Sequence, residues 1–209
     1  ADVQLWVSGR RLTPKQVKLP AKAARPIPIG GFEHENVRSA AHGLSLNWPV
    51  AGDVIKGQDF DTWIRRSLND EVILNNLNKA AGTAQAIQSS PKADDARLVA
   101  KVVMALDTSG PVRHKGFASH IDGIGPTLAV VFQDDILRKQ VEDLITSGIL
   151  KQWLALQGRV KTELMNTYGI LEKIQTMVAL PGPGFGIERC LYELNPYGHC
   201  ISPMIEHLY

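Results

Sequence analysis

Residues 150–179, LKQWLALQGRVKTELMNTYGILEKIQTMVA, carry a sustained helical period. Trp153, Leu156, Val160, Leu164, Thr167, Leu171, Ile174 and Val178 recur in alternating steps of three and four. That is the seam of a helix laid against a partner helix. Lys151, Arg159, Lys161, Glu163, Glu172 and Lys173 fall largely off the seam, as a solvated back face should. A continuous helix here would be a rod of roughly 45 Å at about 1.5 Å per residue. The following Leu180-Pro181-Gly182-Pro183-Gly184 stops it, because neither Pro nor Gly continues a helix cheaply. A spine of this kind predicts a mainly α protein, an antiparallel helical bundle organised along one long helix.

The bulk numbers agree with a folded object of modest size. The 209 residues are 44% hydrophobic and 21% charged, a balance that argues against wholesale disorder. A formal charge of +2 is small for a protein that lives on nucleic acid or an anionic membrane. No apolar run approaches the ~18–20 residues of a membrane span. Ala1 in place of Met is compatible with Met trimming or with a cleaved leader. Cys190 and Cys200 lie close together in a Gly/Pro-punctuated tail. In an oxidising compartment they would close a small disulfide loop contributing about 2–3 kcal/mol, and in a reducing one they are two thiols. The leader and disulfide readings together lean towards an extracytoplasmic setting or the interior of a particle.

Ahead of the helices, residues 1–50 read as an arm with little core of its own. Val3-Gln4-Leu5-Trp6-Val7 alternates like a half-buried strand, and Ser8-Gly9-Arg10-Arg11 could turn it into a hairpin. Four prolines follow between Pro14 and Pro28, and Ile27-Pro28-Ile29 is expected to be extended. Such an arm either drapes over its own domain or docks on a neighbouring subunit. Residues 51–209 form the helical domain, with a turn-rich C-terminal segment at 180–209. Its first face runs through Ile64, Leu68, Val72, Leu77 and Ala81 towards Gly82, with a possible restart at Asn69 as a cap before Asp70 and Glu71. Ser90-Pro91 reads as the start of a helix through Leu98, Val99, Val102, Val103 and Leu106, ended by Ser109-Gly110-Pro111. Another helix spans roughly 133–147 with Gly148 as its C-terminal cap. Asp59, Asp61, Asp94, Asp95, Asp134 and Asp135 sit at helix starts, where the dipole favours carboxylates.

Chemistry-bearing patterns are few. Residues 117–132 resemble the helix-hairpin-helix motif, with Ile121, Gly123, Ile124, Gly125 and Ala129 in its hydrophobic and glycine places. That resemblance implies DNA binding through backbone N–H groups around Gly123, Gly125 and Thr127, which would hold a phosphate at a helix N-terminus. Gly182-Pro183-Gly184-Phe185-Gly186 follows a helix rather than a buried strand and lacks a following Lys-Ser/Thr, so it reads as a sharp turn rather than a phosphate loop. Cys190, His199, Cys200 and His207 lack the paired spacing of a zinc site. Ser202 with His199 and Glu206 lacks a nucleophile elbow.

These observations point first to a non-catalytic structural or assembly subunit, such as part of an envelope machine or a virus-like particle. Its partners would be protein subunits, like or unlike, with no cofactor, no metal and no membrane span. A non-specific DNA-binding module through residues 121–129 is the alternative. An envelope hydrolase using a C-terminal Cys or Ser with His is the third reading.

Overall fold

The computed structural model describes Val7, residues 19–157, residues 162–178, Leu180, Gly182 and residues 185–195. The described chain is mainly helical, with eleven α-helices and two small antiparallel sheets. A first hairpin, β1 (Ile27–Ile29) and β2 (Phe32–His34), leads into α1 (Val37–Leu46) and α2 (Trp48–Lys56). Next come α3 (Gln58–Thr62), a π-helical turn (Trp63–Leu68), α4 (Glu71–Ala81) and α5 (Ala84–Gln88). Then α6 (Asp95–Leu106) crosses the middle of the molecule, followed by a second hairpin of β3 (Val112–His114) and β4 (Phe117–Ser119). The chain continues with α7 (Ile124–Val131), α8 (Asp135–Thr146), α9 (Ile149–Leu156), α10 (Thr162–Val178) and α11 (Ile187–Leu194).

The organising element is α6. Residues 98–100 and 102–106 of this helix are all buried. It packs against α1, α2, α4, α9 and β3. Leu98, Val99, Val102, Val103 and Leu106 belong to a core built with α1, α2 and α4, whereas Ala100 and Met104 join a second core built with the second hairpin and α7 to α11. Trp48 and Leu156 touch both. A helix apolar on nearly every side is one that other elements enclose. Its start is anchored by an ion pair between Asp95 and Lys56 of α2. Gly52 permits that approach, because a Cβ there would collide with the Asp95 carboxylate.

The expected rod over 150–179 is not one helix. It ends at Leu156, where Gln157 turns extended (φ −77°, ψ 126°). The Gln157 Nε2 donates to the Thr108 carbonyl at 3.1 Å, tying the break to the far end of α6. The helix resumes as α10. Trp153, Leu171 and Val178 are buried as the seam requires. Val160 and the side chains of Leu164, Thr167 and Ile174 lie outside the described residues.

Residues 37–46 and 48–50, expected to belong to the extended arm, are helical. Asn36 caps α1 by accepting from the Ser39 N–H at 3.0 Å, and Ser39 completes a capping box. Residues 23–25 lie against their own domain. The Ala23 N–H donates to the Glu35 carbonyl at 2.6 Å, the Ala24 N–H to Ser67 at 2.8 Å, and the Trp63 indole to Arg25 at 2.9 Å. Of the strand expected at residues 3–7, only Val7 is described, and it is helical.

Other helix starts follow their carboxylates. Asp134 accepts from the Ile136 and Leu137 N–H groups. Asp70, rather than Asn69, caps α4, because Asn69 takes a left-handed conformation (φ 49°) that ends the preceding turn. The helix expected from Ser90-Pro91 begins at Asp95, since Pro91 is extended and a 3₁₀ turn intervenes. Gly148 (φ 76°) closes α8, as its position suggested.

Met104 is 1% exposed within the second core, whereas Ile136 is 72% exposed. Met104→Ala is therefore expected to lower stability by about 2–5 kcal/mol, and Ile136→Ala to change it by less than about 0.5 kcal/mol, both read from denaturant unfolding.

Candidate interaction surface

Two features fix the corner where the first hairpin meets the α1–α2 junction. The hairpin lies along α1, with the His34 ring over Gly43, where a Cβ would clash. Its turn, Gly30 (φ 61°) and Gly31 (φ 84°), reaches the end of the helix, and Gly30 abuts the Asn47 side chain. Asn47 in turn donates through Nδ2 to the Gly43 carbonyl at 2.9 Å. Residues directly opposite in an antiparallel pair share a face. Ile29 pairs with Phe32 and Ile27 with His34, so Phe32 lies on the face that covers α1. Ile27 and Ile29 are buried there, but Phe32, beside the glycine turn, is 73% exposed. Leu46, one residue before Asn47, is 69% exposed, and Val50, whose N–H bonds the Asn47 carbonyl, is 49% exposed. Three large apolar side chains thus stand in water within three residues of the Gly30–Asn47 contact. No charged residue falls within 46–50, and the exposed Glu33 beside Phe32 lies on the other face of the hairpin, so the face at this corner is apolar.

The glycine turn at 121–129 is built differently from the motif it resembles. The element before it is strand β4 with a 3₁₀ turn (Ile121–Gly123), not a helix. Gly125 is buried, and a Cβ there would run into the Leu194 carbonyl oxygen of α11. Its lack of a side chain lets α7 and α11 approach closely. Thr127 spends its hydroxyl on the Gly123 carbonyl at 2.8 Å and stands 3.2 Å from the Ser119 hydroxyl. Ile121, Ile124 and Leu128 are core residues. Gly123, Gly125 and Thr127 are brought together, and each has a packing role.

Cys190 is a free thiol on α11, 0% exposed, and burial pushes its pKa up to about 12. It sits in the core, where burial disfavours the thiolate that a nucleophile needs. Cys200, His199, Ser202, Glu206 and His207 lie outside the described residues. Gly182 (φ 126°) and Gly186 (φ 82°) make the expected turn, which returns α11 against α10. Asp61 pairs with Arg65 at 2.8 Å, and Asp135 pairs with Arg138, both within their own helix segments. Among the described residues no three His, Cys, Asp or Glu side chains gather as metal ligands, and no helix is long and apolar enough to cross a membrane.

No family model, curated protein or solved structure matches this chain.

The exposed corner left little trace in the sequence. Leu46 and Val50 sit in a stretch read as arm, and a lone Phe after Gly-Gly has no pattern of its own. The signal that could have found it is the Asn36-x-x-Ser39 capping pair followed by Trp48-Pro49, two helix starts eleven residues apart. Gly125→Ala is expected to lower stability by about 1–3 kcal/mol through overpacking against Leu194, despite the better helix propensity of Ala, as a drop in melting temperature will show.

Proposed function

We propose that this chain is a non-catalytic assembly subunit that joins a second copy of itself through the corner formed by Phe32, Leu46 and Val50. The observation that carries the reading is the exposure of these three side chains at one rigid place, held by two hydrogen-bonded helix ends and a glycine turn. Removing apolar surface from water contributes about 25 cal/mol per Å², and clustered apolar surface is the ordinary means by which subunits recognise one another. A net charge of +2 opposes the approach of a second copy only weakly. The same corner, used by several neighbours in turn, suits membership in a larger protein assembly.

Light scattering on a sizing column tests this. The 22.9 kDa chain is expected to gain mass as its concentration rises. Phe32→Ser combined with Leu46→Ser should stay at the monomer mass while melting near the parent temperature, since both side chains are already in water. A parent chain that remains monomeric at every concentration, or a double variant that associates as the parent does, would overturn the reading. A short DNA duplex added at low salt is expected to leave the elution unchanged, and salt-dependent comigration would instead favour the glycine-turn reading.

A further inference from the structure

Away from that corner, the second hairpin presents one face to the second core. Val112 pairs with Ser119 and His114 with Phe117, so these four side chains share a face. All four are buried. Val112 and Phe117 are apolar members of the second core, and the Ser119 hydroxyl donates to the His120 carbonyl at 2.9 Å. His114 is the titratable member of this face. Its side chain is 5% exposed, and Nδ1 and Nε2 are both closed to solvent with no hydrogen-bond partner. Trp48 of α2 meets the imidazole edge-on at a centroid distance of 5.9 Å. A neutral ring buried unpaired costs free energy, and a charged one in the same place costs far more.

Charged groups surround the ring without pairing with it. They line a polar cleft bounded by the hairpin tip, the start of α6 and the end of α8. From α8, Asp143 stands 3.9 Å from Nε2, beyond hydrogen-bond reach, and already bonds Lys115 at 3.3 Å. The start of α6 contributes Arg97 and Asp94, the hairpin contributes Lys115, and α2 contributes the uncharged Trp48. Arg113, on the hairpin's other face, bonds the Ser45 hydroxyl of α1 at 3.2 Å. Burial and then Lys115 lower the pKa of His114, with Asp143 opposing and Arg97 adding to the shift, so the folded ring is neutral at neutral pH. An opened hairpin would place the ring in water, where an imidazole titrates at about pH 6.5. Below that pH the open form takes up a proton that the closed form refuses, and the open fraction rises as pH falls, by at most about tenfold per pH unit for one proton. Above it neither form is charged and the balance is constant.

We propose that the second hairpin is an acid-released latch, in which protonation of His114 drives the inner face of residues 112–119 off α6 and the second core while the helical frame stays closed. The strands are three residues each, and the contacts at their tip are polar and exposed: the Gly116 N–H donates to Gln140 of α8 at 3.0 Å, and Lys115 bonds Asp143. Exposed polar contacts contribute little, so the hold of the hairpin comes from the buried face, where the proton acts. Release uncovers the part of the second core on which Val112 and Phe117 rest. The inference does not rest on the assembly corner.

The test is hydrogen exchange followed by NMR, with each rate divided by that of an unstructured amide at the same pH. Protection of the amides of residues 112–119 is expected to fall several-fold between about pH 7.5 and about pH 5.5, while that of the slowest α1 and α8 amides falls less. His114→Phe, which fills the same buried face without a titratable group, should abolish the fall. His120→Gln, at an exposed histidine just after β4, should leave it in place. The parent chain supplies a second readout that holds even if His114→Phe does not fold. With the hairpin closed, the His114 ring signals, connected through bonds to their own backbone, should stay those of a neutral imidazole at about pH 6.5, where a free one is half charged. Hairpin protection that ignores pH would overturn the proposal. So would a fall that persists in His114→Phe, a fall shared equally by α1 and α8, or a closed-form His114 that charges at about pH 6.5.

Discussion

The fold depends on the enclosure of α6. Eight of its twelve residues are buried, and they divide between two cores that meet along this helix. The first hairpin, α1, α2 and α4 need Leu98, Val99, Val102, Val103 and Leu106 as their floor. The second hairpin and the helices from α7 onward need Ala100 and Met104. Small residues at Ala100 and Ala105, both 0% exposed, let neighbours come near the helix axis, where close packing contributes most. Burial on this scale is non-directional, so direction comes from polar contacts at the ends. The Lys56–Asp95 ion pair sets α2 against the start of α6, and the Gln157 amide on the Thr108 carbonyl sets α9 against its end.

The exposed apolar corner and the polar cleft lie where this frame runs out. The hairpin–helix corner projects beyond the first core and leaves Phe32, Leu46 and Val50 uncovered. The polar cleft lies at the start of α6, where the second hairpin and the end of α8 come together. Both are positioned by rigid elements, through hydrogen-bonded caps in the first case and a tied hairpin in the second.

Much of the helical content was legible in local chemistry. Asp134 as a cap, Gly148 as a stop and the apolar run of α6 are each encoded within a few residues, so sequence and structure agree there. The mismatches arise where a distant contact outweighs a local pattern. The period over residues 150–179 continues across Gln157, but the Thr108 carbonyl, supplied from 49 residues away, holds Gln157 at the break. Residues 37–50 read as arm, since Gly43 and Pro49 break a local helical pattern, and Gly52 follows directly after. Gly43 and Gly52 instead admit His34 and Asp95, and Pro49 sits in a first helical turn, where it is tolerated. The burial of His114 gave no signal, because one histidine in a three-residue strand has no pattern of its own.

Native-state hydrogen exchange tests the central claim most directly. If α6 joins both cores into one cooperative unit, the amides of Val99, Val102 and Val103 should exchange only through global unfolding, at the same free energy as the slowest amides of α1 and α8. Protection on α6 that is lost in a smaller opening, while α1 or α8 stays closed, would contradict it and would make the two cores separate folding units.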